Sequence, residues 1–273
     1  MVPNCSFVRC VCLALSCVVF VTPVQAWWSD EHQVITLIAE ERLTEHSRQQ
    51  VKYLIGDNSL SSLSLWADQI KSQPSWSHTR SWHYVNLELS QSFSSFQPKV
   101  KGDVLWALTH FYKQLSDKHL SIERRRQALL FFIHFAADIH QPLHVGTRAD
   151  RGGNRVPVVW NKKARSYNLH QVWDGLLTKS KLSNRENAQR LLKAVSQQSI
   201  DQWQNNSYTD WAQESQQLLN SVYTFSDYTE TDGVPYLDDQ YVRVNRPLAE
   251  KRLVQAGIRI AYALNQAFAK ESH

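Results

Sequence analysis

Apolar residues recur at helical spacing along almost the whole chain. From His32 they fall at Val34, Ile35, Leu37, Ile38 and Leu43, which predicts a helix whose face ends near Gly56-Asp57-Asn58. Leu60, Leu63, Leu65 and Trp66 predict a second helix that ends before Pro74. Trp82–Leu87 is aromatic and partly β-like; it reads as extended and leads into a polar stretch over residues 90–101. Helices follow over about 103–117 and 121–140. The second is nearly continuously apolar from Ala128 to Ala137 and therefore central, and Pro142 stops it. Residues 145–166 hold Gly146, Gly152-Gly153, Pro157 and four arginines, the mark of a long functional loop with a short strand or hairpin. Helical spacing resumes over about 168–178, 184–198, 208–224 and 246–270. With no repeat, low-complexity segment or linker, the pattern predicts one all-α domain with room for a single short β-hairpin.

The first 26 residues break this pattern and read as a secretory signal peptide. Arg9 is their only charge, an apolar run extends from Cys10 to Val21, and Pro23 precedes a V-Q-A cleavage site. A lipoprotein would instead need processing at Cys17, and Ala14-Leu15-Ser16 matches that signal poorly. Cutting after Ala26 makes Trp27 the new N-terminus, five residues before His32. A free α-amine beside its own carbonyl closes a five-membered chelate, so such a chain end can serve as a metal ligand. The expected product is a secreted or periplasmic monomer of residues 27–273 without a membrane anchor, since no later apolar run approaches the ~20 residues of a membrane span.

All four cysteines (Cys5, Cys10, Cys12, Cys17) lie in that leader. The remaining chain is therefore not built on disulfides, and a cysteine-zinc site is excluded. A net charge of +5, or +4 without Arg9, favours polyanions only weakly. Ten Trp and ten Tyr supply flat surface for packing or for stacking on bases.

Two H-x-x-x-D pairs carry the chemistry: His134 and Asp138 in HFAADIHQPLH, His170 and Asp174 in NLHQVWD. Residues four apart share one helix face, so each imidazole points with its carboxylate, as zinc ligands must. A surface ion pair has the same spacing. The first pair, however, sits in an apolar helix, where an unpartnered His and Asp are costly to bury. His144 lies six residues beyond Asp138; Asp68 in LWADQI and His83 in SWHYVN lie near element ends.

The ordered set of an N-terminal Trp with His, WAD, WHYVN, HFxxDIHQPLH, GGN and NLHxVWD resembles the secreted, zinc-dependent single-strand nucleases and 3′-nucleotidases of fungi, plants and bacteria. The resemblance covers most of residues 27–273. It implies three Zn2+ ions sharing one cleft of a helical fold. Trp27 (amine and carbonyl), His32 and Asp138 would hold the first; Asp68, His83, His134 and Asp138 its close neighbour; His144, His170 and Asp174 the third. Two zinc ions about 3.5–4 Å apart lower the pKa of a shared water towards ~7, and a third can bind a phosphate oxygen and the leaving group. Mn2+ or Co2+ suits the same ligands.

The resemblance also assigns substrate contacts. Lys71, three residues after Asp68, stands where an Arg contacts the scissile phosphate; it keeps the charge but lacks the bidentate fork, and a solvated helix end is the rival role. Asp68, Lys71 and Asp138 are thus the expected catalytic residues. Tyr84 matches an aromatic position that stacks the base, with core packing as the rival role. Asn86 stands where some members have a base-binding Asp, and its amide offers both donor and acceptor. Gly152-Gly153-Asn154 shapes the cleft wall, and Asn154 is placed to touch substrate. His140, two residues from Asp138, is off the ligand face and reads as a structural hydrogen-bonding residue.

The implied reaction is endonucleolytic cleavage of P–O3′ bonds in RNA and single-stranded DNA to 5′-phosphorylated products, with dephosphorylation of 3′-nucleotides. Two rivals stand beside it. A zinc-dependent phospholipase C shares the fold and the N-terminal Trp, but WHYVN and the GGN loop favour the nuclease. A zinc-binding exported protein without turnover leaves Trp27, Asp68 and Lys71 unexplained beside the ligand set.

Overall fold

The computed structural model describes residues 27–87, 102–160, 166–225 and 233–269. The expected leader, the polar stretch over 90–101 and part of the arginine-rich loop lie outside the described residues. The helical reading holds, and the hairpin is present. β1 (Pro157–Trp160) pairs antiparallel with β2 (Ser166–Asn168). The sequence pattern missed a third strand, β3 (Tyr236–Leu237), which adds in parallel to β1.

Several expected helices are divided, for local reasons. The first becomes α1 (Ser29–Arg42) and α2 (Glu45–Ile55), because the Thr44 hydroxyl accepts from the Ser47 amide and starts a new helix. The second becomes α3 (Leu60–Leu63) and α4 (Trp66–Ile70), where the Ser64 hydroxyl donates back to the Ser61 carbonyl. Trp82 and His83 are not extended: they end a 3₁₀ helix, Pro74–His83, that begins with proline, and extended backbone starts only at Tyr84.

α5 (Val104–Ser116) and α6 (Ile122–Asp138) fall where expected, capped by Asp103 and Ser121. After a 3₁₀ turn, Pro142–Val145, and the loop, α7 (Leu169–Gln171) passes into a π-turn, Val172–Leu176. The helix expected over 184–198 is split into α8 (Asn184–Lys193) and α9 (Gln197–Gln204) because Ser196 caps the latter. The helix over 208–224 divides at Leu218 into α10 (Tyr208–Gln217) and α11 (Leu219–Val222). There the Leu218 amide bonds three residues back, to Ser215. α12 (Asp239–Ala267) starts earlier than expected, at the Asp238 cap, and tolerates Pro247 within its first turns.

The apolar spacing of α6 makes it the central element, with every residue from Ala128 to Asp138 buried. Phe111 of α5 stacks on Phe131 at 4.5 Å, and Phe131 on Phe135 at 5.4 Å. α12 crosses α1 at Gly257, where a β-carbon would lie 2.6 Å from that of Ile38; only glycine permits this approach. The C-terminal end of α6 is thereby held among α1, α4, the end of the 3₁₀ helix and the π-turn, the elements that carry the H-x-x-x-D pairs and their neighbours.

Candidate metal centre

Three His/Asp groups meet at that end of α6, each with its donor atoms within 4.8 Å: His32, His134 and Asp138; Asp68, His83 and His134; His144, His170 and Asp174. His134 and Asp138 are one helical turn apart on the same face, with Nε2 3.3 Å from Oδ2. From α1, His32 Nε2 approaches Asp138 Oδ1 to 3.5 Å, and its ring stacks on His134 at 4.3 Å. From the end of the 3₁₀ helix, His83 Nδ1 lies 2.8 Å from Asp138 Oδ2 and 3.6 Å from Asp68 Oδ1. Asp138 thus presents one oxygen to His32 and the other to His83 and His134. In the third group the His144 and His170 rings stack at 5.0 Å, and His170 Nε2 is 3.5 Å from Asp174 Oδ2.

The far side of several ligands is tied to the fold. Nδ1 of His134 donates to the Ser64 carbonyl at 2.8 Å, that of His144 to His83 at 2.7 Å, and that of His170 to Gly152 at 2.6 Å. Each bond orients the ring and turns Nε2 into the site. Gly152, whose carbonyl accepts from His170, adopts φ 60°, and a β-carbon there would lie 2.2 Å from Leu143 O, so only glycine fits. The expected close backbone approach of the GGN loop is therefore spent on orienting a candidate ligand.

Gln141, which sequence reasoning passed over although it lies inside the motif, donates Nε2 to Asp174 Oδ1 at 2.7 Å and leaves Oδ2 free. The turn after Asp138 is gripped from behind. Arg252 donates to the His140 carbonyl, Arg259 to His140 Nε2, and both guanidiniums pair with Glu214. His140 donates Nδ1 to Ala136 O, a purely hydrogen-bonding role. The arginines that hold this turn are more than a hundred residues away in the chain, so motif spacing gave no signal for them.

Polar atoms face inward without hydrogen-bond partners: both ring nitrogens of His32, Asp68 Oδ2, Asp138 Oδ1, His144 Nε2, His170 Nε2 and Asp174 Oδ2. So many unsatisfied buried donors and acceptors are costly. Bound divalent cations would satisfy them, and a nitrogen-and-carboxylate set without thiolate fits catalytic zinc. Burial opposes charge on His134, but Asp138 and Asp68 outweigh it and push its pKa up to about 10. Burial would also raise Asp138, yet the charged His134 ring holds it well below the usual carboxylate range. Burial drives His83 down to about 4 and His170 down to about 3, and lowers His32 and His144, so these imidazoles are neutral. Asp174, buried with no cation facing it, is pushed well above the usual range.

Cations entering these groups must therefore displace the proton that His134 holds at neutral pH. Zinc uptake at pH 7 is expected to release at least one proton per chain. Calorimetry in two buffers of different ionisation enthalpy reads this number, and zinc binding without proton release would contradict the assignment. For His134 alone the folded pKa lies above its unfolded value. Its stabilising contribution is thus complete below about pH 6.5 and is lost as the pH rises through about 10.

Trp27 is buried, and its indole Nε1 donates to Ala137 O at 3.0 Å. The Trp28 amide donates to the Asp174 carbonyl at 2.7 Å, and its ring packs on Gly175, which has no room for a β-carbon. The first described residues are thus pinned between the end of α6 and the π-turn. Lys71 Nζ pairs with Asp68 Oδ1, and Arg80 Nε donates to the Lys71 carbonyl. Tyr84 is 40% exposed and Asn86 half-buried, both beside His83. Asn154 spends Nδ2 on the Arg151 carbonyl, leaving Oδ1 unpaired.

Comparison with known proteins matches residues 27–269 to the family described as S1/P1 Nuclease. Endonuclease 4 of Arabidopsis thaliana is 31% identical, with 90% of each chain covered. Endonuclease 2 of the same plant is 29% identical over 90% of this chain and 91% of its own. Nuclease P1 of Penicillium citrinum is 26% identical over 54% of this chain and 57% of its own. With its buried His/Asp groups and a family match that begins at Trp27, this chain belongs to the S1/P1 nuclease family.

Proposed function

We propose that the chain is a zinc-dependent endonuclease that cleaves P–O3′ bonds of RNA and single-stranded DNA to 5′-phosphorylated products, and also dephosphorylates 3′-nucleotides. The observation that supports it above all is the meeting of three buried His/Asp groups, with Asp138 facing two of them, in a member of a nuclease family. Trp27, His32 and Asp138 would hold one zinc; Asp68, His83, His134 and Asp138 a second; His144, His170 and Asp174 a third. When bound, zinc supplies Lewis acidity for the phosphoryl oxygens and lowers the pKa of an attacking water.

The chain's own residues do the rest. The Lys71 ammonium, beside Asp68 at the edge of the cluster, offsets charge on the scissile phosphate. The exposed Tyr84 ring offers a face on which an unstacked base can lie, which favours single strands over duplex. Asn86 meets the base edge with a donor and an acceptor. Asn154, whose buried Oδ1 has no partner among the described residues, would be a further substrate contact. Cleavage after Ala26 would free the Trp27 amine and deliver the enzyme outside the cytoplasm as a monomer of residues 27–273; no helix of the described residues is long and apolar enough to cross a membrane.

Hydrolysis of RNA, single-stranded DNA, duplex DNA and phosphatidylcholine, with and without chelator, tests the reading. Chelator-sensitive cleavage of the two single strands is expected. Preferential hydrolysis of phosphatidylcholine would assign a phospholipase C, and bound zinc without any hydrolysis a non-catalytic role. Lys71→Ala should keep its metal and lose roughly 10–10³-fold in kcat, as for other lost charge-stabilising groups. Tyr84→Ala should raise KM for RNA and 3′-nucleotides, stacking being worth about 1–3 kcal/mol per base, and act much less on a base-free phosphate ester. Equal losses on both would make Tyr84 a support for His83.

A further inference from the structure

The loop arginines carry one observation that the catalytic reading does not use. The chain after His83 runs alongside the chain after His144: the Val85 amide donates to His144 O at 2.9 Å, the Leu87 amide to Gly146 O at 3.0 Å, and Leu87 bridges in parallel to Thr147. Alternation along this short ribbon sends His83, Val85 and Leu87 inward and leaves Tyr84 and Asn86 on the outer side. On the partner segment Val145 and Thr147 are buried, while Arg148 is exposed. Tyr84, Asn86 and Arg148 accordingly line one hollow of about 240 Å³, with Ser81 and Asp103 also on its wall.

The chemistry of that wall is selective. Tyr84 supplies a ring face. The Arg148 guanidinium makes no hydrogen bond or ion pair with any described residue, so its fork of donors is available. Asp103 is already engaged, its carboxylate capping α5 at the Trp106 amide. A planar ligand that presents two adjacent acceptors on one edge satisfies this set. Guanine does so through N7 and O6 and unpaired cytosine through O2 and N3, whereas adenine and uracil set an amino or imino donor beside each acceptor; of the two, the larger purine covers more of the Tyr84 ring, which selects guanine.

We propose that Arg148 makes this hollow a guanine-selective base site, so that the enzyme prefers guanosine at the nucleotide bearing the attacked 3′-phosphate. The proposal rests on the hydrolytic reading of the neighbouring cluster. It names a specificity-determining residue outside the sequence motifs.

The test measures binding of the 5′-monophosphates GMP, AMP, CMP and UMP by calorimetry, together with turnover of the four 3′-nucleotides. Wild-type protein and the exposed-site variants Arg148→Ala and Arg148→Lys are compared. Wild type should favour guanine in both readouts. Arg148→Ala should shrink the guanine-to-adenine ratio about 5- to 150-fold, the range for one bidentate base contact. Arg148→Lys should not restore it, because an ammonium lacks the fork. Equal affinity of wild type for the four nucleotides would overturn the proposal. So would a loss in Arg148→Ala that is uniform across bases and recovered by Lys, the behaviour of a phosphate contact. Guanine-selective binding without turnover would sustain the base site and sink the hydrolytic reading instead.

Discussion

Asp138→Ala is expected to reduce nucleic-acid hydrolysis by about 10³-fold or more, a loss at the upper end of those seen when transition-state charge stabilisation is removed. The size follows from position. Asp138 faces His32 with one oxygen and His83 and His134 with the other, so a single side chain serves two of the three groups. Its removal should take two adjacent ions together. His144, His170 and Asp174 do not depend on it for orientation, since His144 and His170 are held by carbonyls and Asp174 by Gln141. The variant should therefore keep close to one zinc per chain and much of its fold. Near-normal turnover with full metal content would make the assignment of Asp138 as a bridge wrong.

The second large effect concerns the chain end. A protein carrying even one residue before Trp27 should lose an ion of the close pair and nearly all activity, while the third group stays occupied. The α-amine must be free and neutral to bind a cation. The fold leaves the end little freedom, because Trp27 is anchored to Ala137 O and Trp28 to Asp174 O. A removable extension should thus give inactive protein that gains activity only when cutting exposes Trp27. Full activity in protein whose mass shows an intact extension would rule out the amine as a ligand, and with it the view of leader removal as an activating step.

What the sequence made legible was the pattern with short-range cause. Helical spacing gave the all-helical class and placed α5 and α6 within a residue or two, because apolar periodicity and Asp or Ser caps coincide there. It overran at Thr44 and Ser196, where a capping side chain restarts the helix without disturbing the apolar spacing. β3 escaped notice because two residues pairing with a strand more than seventy positions earlier leave no local pattern.

The candidate site divides the same way. His134 and Asp138 were readable from spacing, but grouping His32, Asp68 and His83 with them depended on resemblance, since each comes from a different element. What lay beyond both was the supporting shell. Gln141 is set by the 3₁₀ turn, Arg252 and Arg259 arrive from α12, and Arg148 gains meaning only from the pairing of residues 84–87 with 144–147. These are tertiary facts, carried by backbone carbonyls and crossing helices rather than by any run of residues.

The central claim is that a processed chain end and three His/Asp groups together hold the metals of a nuclease. Native mass spectrometry of the protein expressed from the full sequence tests it most directly, because one spectrum reports both the first residue and the number of bound ions. The account predicts a single species that begins at Trp27 and carries three zinc ions. A fully active protein that begins elsewhere, or one that begins at Trp27 and holds a single ion or none, would contradict it.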